Sequence, residues 1–152
     1  MTCYNEEKEW VIASIESIIN QTFKEFELII VLDNPNNDEL KHILNHYRIK
    51  DNRIKVIINN KNEGLVISLN RAICECKGKY IARMDADDIS YMDRFENQYV
   101  YLENNLDIAL VGGTGVIMDE NGEVLFHTNK LGSSAKKAKK SLLYRNIFFH
   151  IS

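Results

Sequence analysis

The stretch "FELIIVLD" (residues 26–33) decides the fold class of this chain. Its apolar residues follow one another with little alternation, which is typical of a strand buried on both faces of a parallel sheet. The run ends on Asp33, so the pattern places a carboxylate at the carboxyl end of that strand. Ligands of open α/β sheets bind at the carboxyl ends of the strands. We therefore expect an α/β protein with Asp33 at its ligand-binding edge.

Helical patterns precede and follow this strand in the sequence. Residues 6–22, 39–47 and 65–77 carry apolar side chains three and four positions apart, as amphipathic helices do. Asn5 is placed to cap the first helix, and Gly78 is placed to end the third in a left-handed conformation. The apolar positions of the three helices are Val11, Ile15, Ile18 and Ile19; Leu40, Ile43, Leu44 and Tyr47; and Leu65, Leu69 and Ile73.

Two further apolar runs, at residues 54–58 and 79–84, predict strands that alternate with these helices. Alternation of strand and helix indicates a mostly parallel sheet that is covered by helices on both faces. The carboxyl ends of the strands then bring Asp33, the loop 59–64 and residues 85–88 to the same edge. We expect these segments to line one crevice.

The rest of the chain predicts smaller elements. They are a helix (93–105), a short strand (108–113), a hairpin (116–127) and a basic helix (133–146). Asn121 and Gly122 suit the tight turn of the hairpin. No repeat or linker interrupts the chain, so we predict a single domain over residues 1–152.

Composition narrows the partners and the location. The net charge is −3, so the chain has no large basic field for nucleic acid. Cys3, Cys74 and Cys76 lack the paired spacing of structural zinc sites, and we interpret them as reduced, packed thiols. The apolar runs fall short of the roughly 20 residues that span a bilayer. We expect a cytoplasmic protein.

The basic run over residues 136–145 bears on location as well. It is compatible with peripheral contact to an anionic membrane surface at the inner face, or with a lipid-linked acceptor. Such a run more often forms one solvated face of a helix, and we favour that interpretation.

The segment "RMDADDIS" (residues 83–90) places Asp85, Asp87 and Asp88 directly behind the predicted strand 79–84. Carboxylates this close cannot all stay ionised cheaply unless a cation lies between them or one takes up a proton. Mg²⁺ and Mn²⁺ prefer hard oxygen ligands and commonly take one or two carboxylates together with water and phosphate oxygens. The segment therefore predicts a divalent-metal and diphosphate site.

Three other kinds of site share part of this pattern. Asp88 or Ser90 could cap a helix that starts near Tyr91, which is the commoner role for a lone acid. An EF-hand loop is excluded, because Ile89 and Ser90 stand where an oxygen ligand and a glycine are required. The nucleophile loop of haloacid-dehalogenase-like phosphatases usually has a small hydroxylated residue where Ile89 stands, and that phosphatase remains the second enzyme interpretation.

Several segments together resemble a known family. They are "YNEEKEW", "SIESIINQTF", "FELIIVLD", "NEGLVISLNRAI", "GKYIARMDADDIS" and "DRFENQ". In this order they resemble the nucleotide-diphospho-sugar domain of family-two inverting glycosyltransferases, which have the GT-A (Rossmann-like) fold. The resemblance implies transfer of a sugar from a UDP-sugar to an acceptor hydroxyl with inversion, in bacterial-type surface polysaccharide or glycan synthesis. It also implies Mg²⁺ or Mn²⁺ as cofactor and a saccharide or lipid-linked acceptor.

The resemblance assigns site residues. The implied nucleotide-binding residues are Thr2, Cys3, Tyr4, Asn5, Asp33 and Asp85, and the implied metal ligands are Asp87 and Asp85. Residues 2–5 match the loop after the first strand, and Asp33 matches the acid that reads the base, here uracil. A second Asp is common in the family where this chain has Leu32, and Asp88 extends the metal motif without a clear role. Asp33 could instead cap the turn before Pro35.

Residues in and just before the third helix qualify these assignments. Gly64 is interpreted as backbone geometry in the loop before the helix. An Arg that can touch the diphosphate is common in the family where this chain has Leu69. Arg71 lies roughly 200° further around the helix, so it is not assumed to substitute.

Both ends of the chain differ from the resemblance. The family has an apolar strand before the loop at Tyr4, and its catalytic base follows a segment like residues 146–152. We expect a chain that lacks the first strand and the acceptor portion, so no catalytic base is assigned. A non-catalytic nucleotide-sugar-binding fragment is the alternative function. The open sheet could also pair with a second copy, which predicts a homodimer.

Overall fold

The structure is a computed structural model that describes residues 1–119 and 122–128 of the chain. Its elements are β1 (Thr2–Cys3), α1 (Lys8–Ile19), β2 (Leu28–Leu32), α2 (Asp38–Lys50), β3 (Ile54–Ile58), α3 (Leu65–Cys74), α4 (Arg94–Glu103), β4 (Val116–Met118) and β5 (Val124–His127). The chain divides into two compact units, Met1–Asn104 and Asn105–Ser152. The single domain over 1–152 stays a prediction.

The first unit contains a parallel sheet with the strand order β1-β2-β3. β2 lies in the middle: Leu28 pairs with Ile54, and Cys3 pairs with Leu32. All five residues of β2 are buried, as its continuous apolar run predicts. The parallel sheet and its flanking helices confirm the α/β class.

Successive side chains of β2 point to opposite faces and meet different helices. Ile30 and Leu32 belong to a core that α1 and α2 share through Val11, Ile15, Ile18, Leu40 and Leu44. On the other face, Ile29 and Val31 pack with Ala72 of α3. The helical stripes predicted for α1 and α2 are confirmed as core.

The stripe predicted for α3 is wrong. Leu65 and Ile73 are exposed, and the residues that α3 buries are Ser68 and Ala72. Ser68 accepts a hydrogen bond from the buried Asn59, and the small Ala72 lets the helix approach β2 closely. α3 is therefore rotated about its axis so that Ser68 and Ala72, and not Leu65 and Ile73, face the sheet.

Several predicted helix ends also change. α1 begins at Lys8 without a side-chain cap, because Asn5 accepts from the Asn34 amide, 2.6 Å away, instead of capping. α3 ends at Cys74, and Gly78 is not among the glycines with positive φ. α2 does have a side-chain cap, since Asn37 accepts from the backbone N–H of Leu40 at 3.0 Å.

Two predicted strands are absent from the described part of the chain. Residues 79–84 and 108–113 both lie outside any strand. A strand needs a partner with free ladder groups, and β1 is only two residues long. The backbone of residues 83–95 instead meets side chains of α1 and Arg94.

The second unit contains an antiparallel hairpin of β4 and β5, which confirms the predicted hairpin. Gly122 has a φ of 82°, a conformation that favours glycine. The predicted basic helix over 133–146 lies outside the described residues.

The remaining fold predictions concern the packing of the thiols and the ability of a helix to cross a membrane. The three cysteines are free; Cys3 is buried and Cys76 half-buried, but Cys74 is exposed, so the prediction of packed thiols is wrong for Cys74. Across residues 1–119 and 122–128, every helix is too short or too polar to cross a membrane.

Candidate functional site

The loops that follow β1 and β2 are joined at the carboxyl edge of the sheet. The backbone N–H of Asp33 donates to the Cys3 carbonyl at 2.7 Å. The amide of Asn34 donates to Asn5 Oδ1 at 2.6 Å, and the amide of Asn37 reaches the Tyr4 carbonyl at 3.4 Å. The loop after β1 therefore lies beside the loop after β2.

The four residues predicted around the base and ribose divide into two pairs. Thr2 and Cys3 belong to β1, so the prediction that they form a loop is wrong, and so is the prediction that no strand precedes Tyr4. The Cys3 side chain lies in the core, where burial, with the charges of Glu6 and Asp87, raises its pKa to about 12. Tyr4 and Asn5 are exposed beyond the strand end.

Asp33 is the centre of a buried hydrogen-bond network. Its side chain is only 5% exposed. Its Oδ1 accepts from Asn59 Nδ2 at 2.6 Å and from the Glu63 N–H at 2.9 Å, and its Oδ2 accepts from the Gly64 N–H at 2.8 Å. Asp33 thus ties the end of β2 to the loop after β3. It does not cap the turn before Pro35 in the described contacts.

The ionisation of Asp33 follows from these contacts. Burial on its own would raise the pKa, but hydrogen bonds from Asn59, Glu63, Gly64 and Ser68 outweigh it, and the pKa is lowered. The carboxylate is therefore held in its charged form. Gly64 contributes its N–H at a φ of 84°, which confirms that its role is backbone geometry.

Asn59 is a residue that the sequence reasoning missed. It is 1% exposed and donates to Ser68 Oγ at 2.8 Å as well as to Asp33. Arg71 donates from Nη1 to Asn59 Oδ1, so Arg71 does reach the strand ends, although not through the position of Leu69. The available signal was a polar residue directly after the predicted strand 54–58.

The acidic segment differs in its surroundings. Asp85 is paired with Arg83, whereas Asp87 is exposed. Burial raises the pKa of Asp88 to about 6, and the charges of Asp85 and Asp87 add to the effect. Repulsion from Asp85 and Asp87 therefore contributes, after burial, to the raised pKa of Asp88.

Polar side chains of α1, and the side chain of Gln21 just after its end, hold this segment. Ser14 Oγ donates to the Asp85 carbonyl at 3.0 Å, and Ser17 Oγ accepts from the Ser90 N–H at 3.0 Å. Gln21 donates to the Tyr91 carbonyl at 2.7 Å and accepts from the Phe95 N–H at 3.0 Å. The apolar periodicity of this region predicted only an amphipathic helix, and these polar contacts were missed.

The capping interpretation of the acidic segment is wrong. α4 begins at Arg94 and has Asp93 as its N-cap residue, without a side-chain cap. Neither Asp88 nor Ser90 occupies that position, and the helix does not start near Tyr91.

The donor set of the segment suits a divalent cation that is shared with a phosphate ligand. Within the described residues, no three His, Cys, Asp or Glu side chains are grouped to hold a metal ion by themselves. Mg²⁺ in phosphate sites needs only one or two carboxylates from the protein. Asp87 offers an exposed carboxylate, and Asp85 lies two residues away with its charge shared with Arg83. The chemistry of these residues therefore fits the predicted ion.

Comparison with known proteins identifies relatives and a similar structure. The chain is 43% identical over 152 residues to an uncharacterized glycosyltransferase of Methanocaldococcus jannaschii, covering 100% of this chain and 52% of that protein. It is 39% identical over 143 residues to the O-antigen biosynthesis glycosyltransferase WbnJ of Escherichia coli, covering 93% and 54% respectively. The crystal structure of S. aureus TarS matches with a TM-score of 0.60 and 26% identity, over 68% of this chain and 18% of that chain.

These matches establish the fold and the family. The mixed α/β arrangement with its parallel sheet is GT-A-like. The chain spans about half the length of the two curated relatives, 52% and 54%. The Glycosyl transferase family 2 domain matches residues 1–152. The chain therefore belongs to glycosyl transferase family 2.

Proposed function

We propose that this chain binds the nucleotide-diphospho-sugar donor in a sugar-transfer reaction of surface polysaccharide or glycan synthesis. The observation that carries the proposal is the acidic segment, where exposed Asp87 and half-buried Asp88 lie close to Asp85, and burial with the charges of Asp85 and Asp87 raises the pKa of Asp88 although Arg83 and Arg94 act against it. A donor diphosphate with a divalent cation would balance that charge. Membership of glycosyl transferase family 2 supports the same assignment.

Asp87, together with Asp85, would hold Mg²⁺ or Mn²⁺ at the diphosphate. When bound, the cation would supply positive charge that stabilises the departing nucleoside diphosphate. Asp85 has its backbone fixed by Ser14 and its side chain by Arg83, so it is suited to a directional contact with the ribose. Asp87, which is more exposed, is suited to an ion that arrives with its ligand.

The nucleoside would lie over the joined loops after β1 and β2. Tyr4 and Asn5 are exposed there and can pack against a base and ribose. Asp33 is 5% exposed and accepts from Asn59, Glu63, Gly64 and Ser68, so a contact with the N3 of uracil would have to replace one of these donors. The choice of UDP rests on the match of Asp33 to the acid that reads the base in the family.

The reaction would be direct displacement at the anomeric carbon, with inversion. An acceptor hydroxyl loses its proton to a general base as it attacks from the face opposite the diphosphate. The acceptor would be a saccharide or a lipid-linked saccharide, and the O-antigen function in the name of one relative supports that class. A cytoplasmic location with peripheral contact at the inner membrane face, and a homodimer, belong to the same proposal.

Titration calorimetry of UDP with and without Mn²⁺ tests the metal assignment. Asp87→Asn should remove the gain in UDP affinity that Mn²⁺ gives, because the exposed ligand oxygen is lost. Asp107→Asn changes an exposed Asp of the second unit and should keep that gain. Unchanged Mn²⁺ dependence in Asp87→Asn would refute the assignment.

The proposal that Asp33 reads the nucleobase is tested by comparing UDP with inorganic diphosphate. Asp33→Asn should weaken UDP more than inorganic diphosphate, since only UDP presents a base N–H. Equal losses for the two ligands would mean that Asp33 supports the fold alone.

The non-catalytic alternative makes a different prediction. A fragment that only binds nucleotide sugar would bind UDP-sugar without releasing UDP in the presence of an acceptor, and a transferase assay separates the two cases. The haloacid-dehalogenase-like phosphatase is not retained, because the chain belongs to another family.

A further inference from the structure

Two polar side chains, one in α1 and one just after its end, are buried as completely as the apolar residues of that helix. Ser14 of α1 and Gln21, which follows the end of α1, are both 0% exposed, like Val11 and Ile15. Burying a hydroxyl and an amide is unfavourable unless each finds hydrogen-bond partners. Their partners lie about 70 positions further along the chain, in the segment that contains the acidic residues. The burial of these two side chains is therefore explained by that segment.

The acidic segment depends on such contacts because it lies outside the sheet. Residues 79–84 form no strand in the described part of the chain, so no ladder of strand hydrogen bonds fixes the position of Asp85. Ser14 fixes the carbonyl of Asp85 on one side of the carboxylates. Gln21 fixes Tyr91 and Phe95 on the other side. The segment is thus held at both ends, by Ser14 of α1 and by Gln21 just after that helix.

We propose that Ser14 and Gln21 are positioning residues that set the backbone of residues 85–95, and thereby place Asp85 and Asp87 for a divalent cation and a diphosphate. The inference rests on the proposed function for its ligand. It differs from that proposal because it assigns residues that touch neither ion nor nucleotide.

The test compares Ser14→Ala and Gln21→Met with a matched control, Ser68→Ala. Ser68 is another serine that is 0% exposed, but it contacts Asn59 in the Asp33 network. The affinity of each chain for UDP is measured with and without Mn²⁺ at a temperature where all are folded. Ser14→Ala and Gln21→Met should each reduce the Mn²⁺-dependent gain about threefold to tenfold, the size expected for a buried hydrogen bond. Ser68→Ala should change affinity equally with and without Mn²⁺.

Amide hydrogen exchange gives a readout that does not depend on any ligand. Exchange over residues 85–95 should become faster in Ser14→Ala and Gln21→Met, while β2 and β3 keep their protection. If unsubstituted protein binds no UDP with Mn²⁺, the proposed function fails, and the exchange result alone decides the positioning role. Unchanged exchange over 85–95 in both variants, or a full Mn²⁺-dependent gain in both, overturns the inference.

Discussion

The two acidic regions of this protein differ in where their hydrogen-bond partners lie. Asp33 is buried, and its carboxylate accepts from Asn59, Glu63 and Gly64. Asp87 is exposed and belongs to a cluster in which burial, together with the charges of Asp85 and Asp87, raises the pKa of Asp88 to about 6. The first region satisfies its charge with hydrogen bonds inside the protein, and the second keeps an exposed carboxylate.

This difference separates an acid with several internal hydrogen-bond donors from an exposed acid, although the sequence presents both as carboxylates after an apolar run. A carboxylate that accepts several internal hydrogen bonds stabilises the folded state. A cluster of carboxylates destabilises it until a cation or phosphate-bound ion arrives. The loss of stability should therefore be much larger when Asp33 is changed than when Asp87 is changed.

The largest effect should come from Asp33→Ala. The variant leaves the donors of Asn59, Glu63 and Gly64 unsatisfied, and we expect a loss of about 3–5 kcal/mol in the free energy of unfolding. Asp87→Ala changes an exposed residue and should stay within about 0.5 kcal/mol of the parent. Urea denaturation monitored by circular dichroism measures both. Equal losses would mean that the two acids do not differ as described.

A smaller effect should appear in acid. The pKa of Asp33 is lowered in the folded protein, so its ionised form contributes stability above the unfolded pKa, about 4 for Asp. That stability is lost as the pH falls through about 4 towards the folded pKa. Asp33→Asn should therefore lose less stability between neutral pH and acid than the parent. Urea midpoints at a series of pH values measure this loss.

The variant should retain some acid sensitivity from other carboxylates. The hydrogen bond from Arg53 lowers the pKa of Asp51, for example, and that contribution is unchanged. An Asp33→Asn slope identical to that of the parent would contradict the internal role of Asp33.

The smallest effect should come from Arg71→Ala. Arg71 donates to the buried Asn59, so its loss should cost about 1 kcal/mol through one hydrogen bond at the rim of the network. Arg48→Ala is the matched control, because Arg48 donates to Asn45, which is exposed. The control should be nearly neutral in thermal unfolding. A larger loss from Arg48→Ala would show that the buried network gains nothing from Arg71.

The sequence was sufficient for features that depend on local periodicity. The continuous apolar run predicted β2, and three- and four-residue spacing predicted the buried faces of α1 and α2. The acidic segment was also found, since the charges of Asp85 and Asp87 do act on Asp88. The same periodicity failed for α3, where Ser68 and Ala72 face the sheet in place of Leu65 and Ile73.

The sequence by itself therefore determined the α/β class, the middle strand and the existence of an acidic segment, because each depends on residues that are close together in the chain. Only the tertiary structure decided which acid accepts several hydrogen bonds from within the protein. Asn59 reaches Asp33 from 26 positions away, and Gln21 reaches the Tyr91 carbonyl across 70 positions. Hydrogen bonds over such separations depend on how the helices dock on the sheet, and no local pattern encodes that docking.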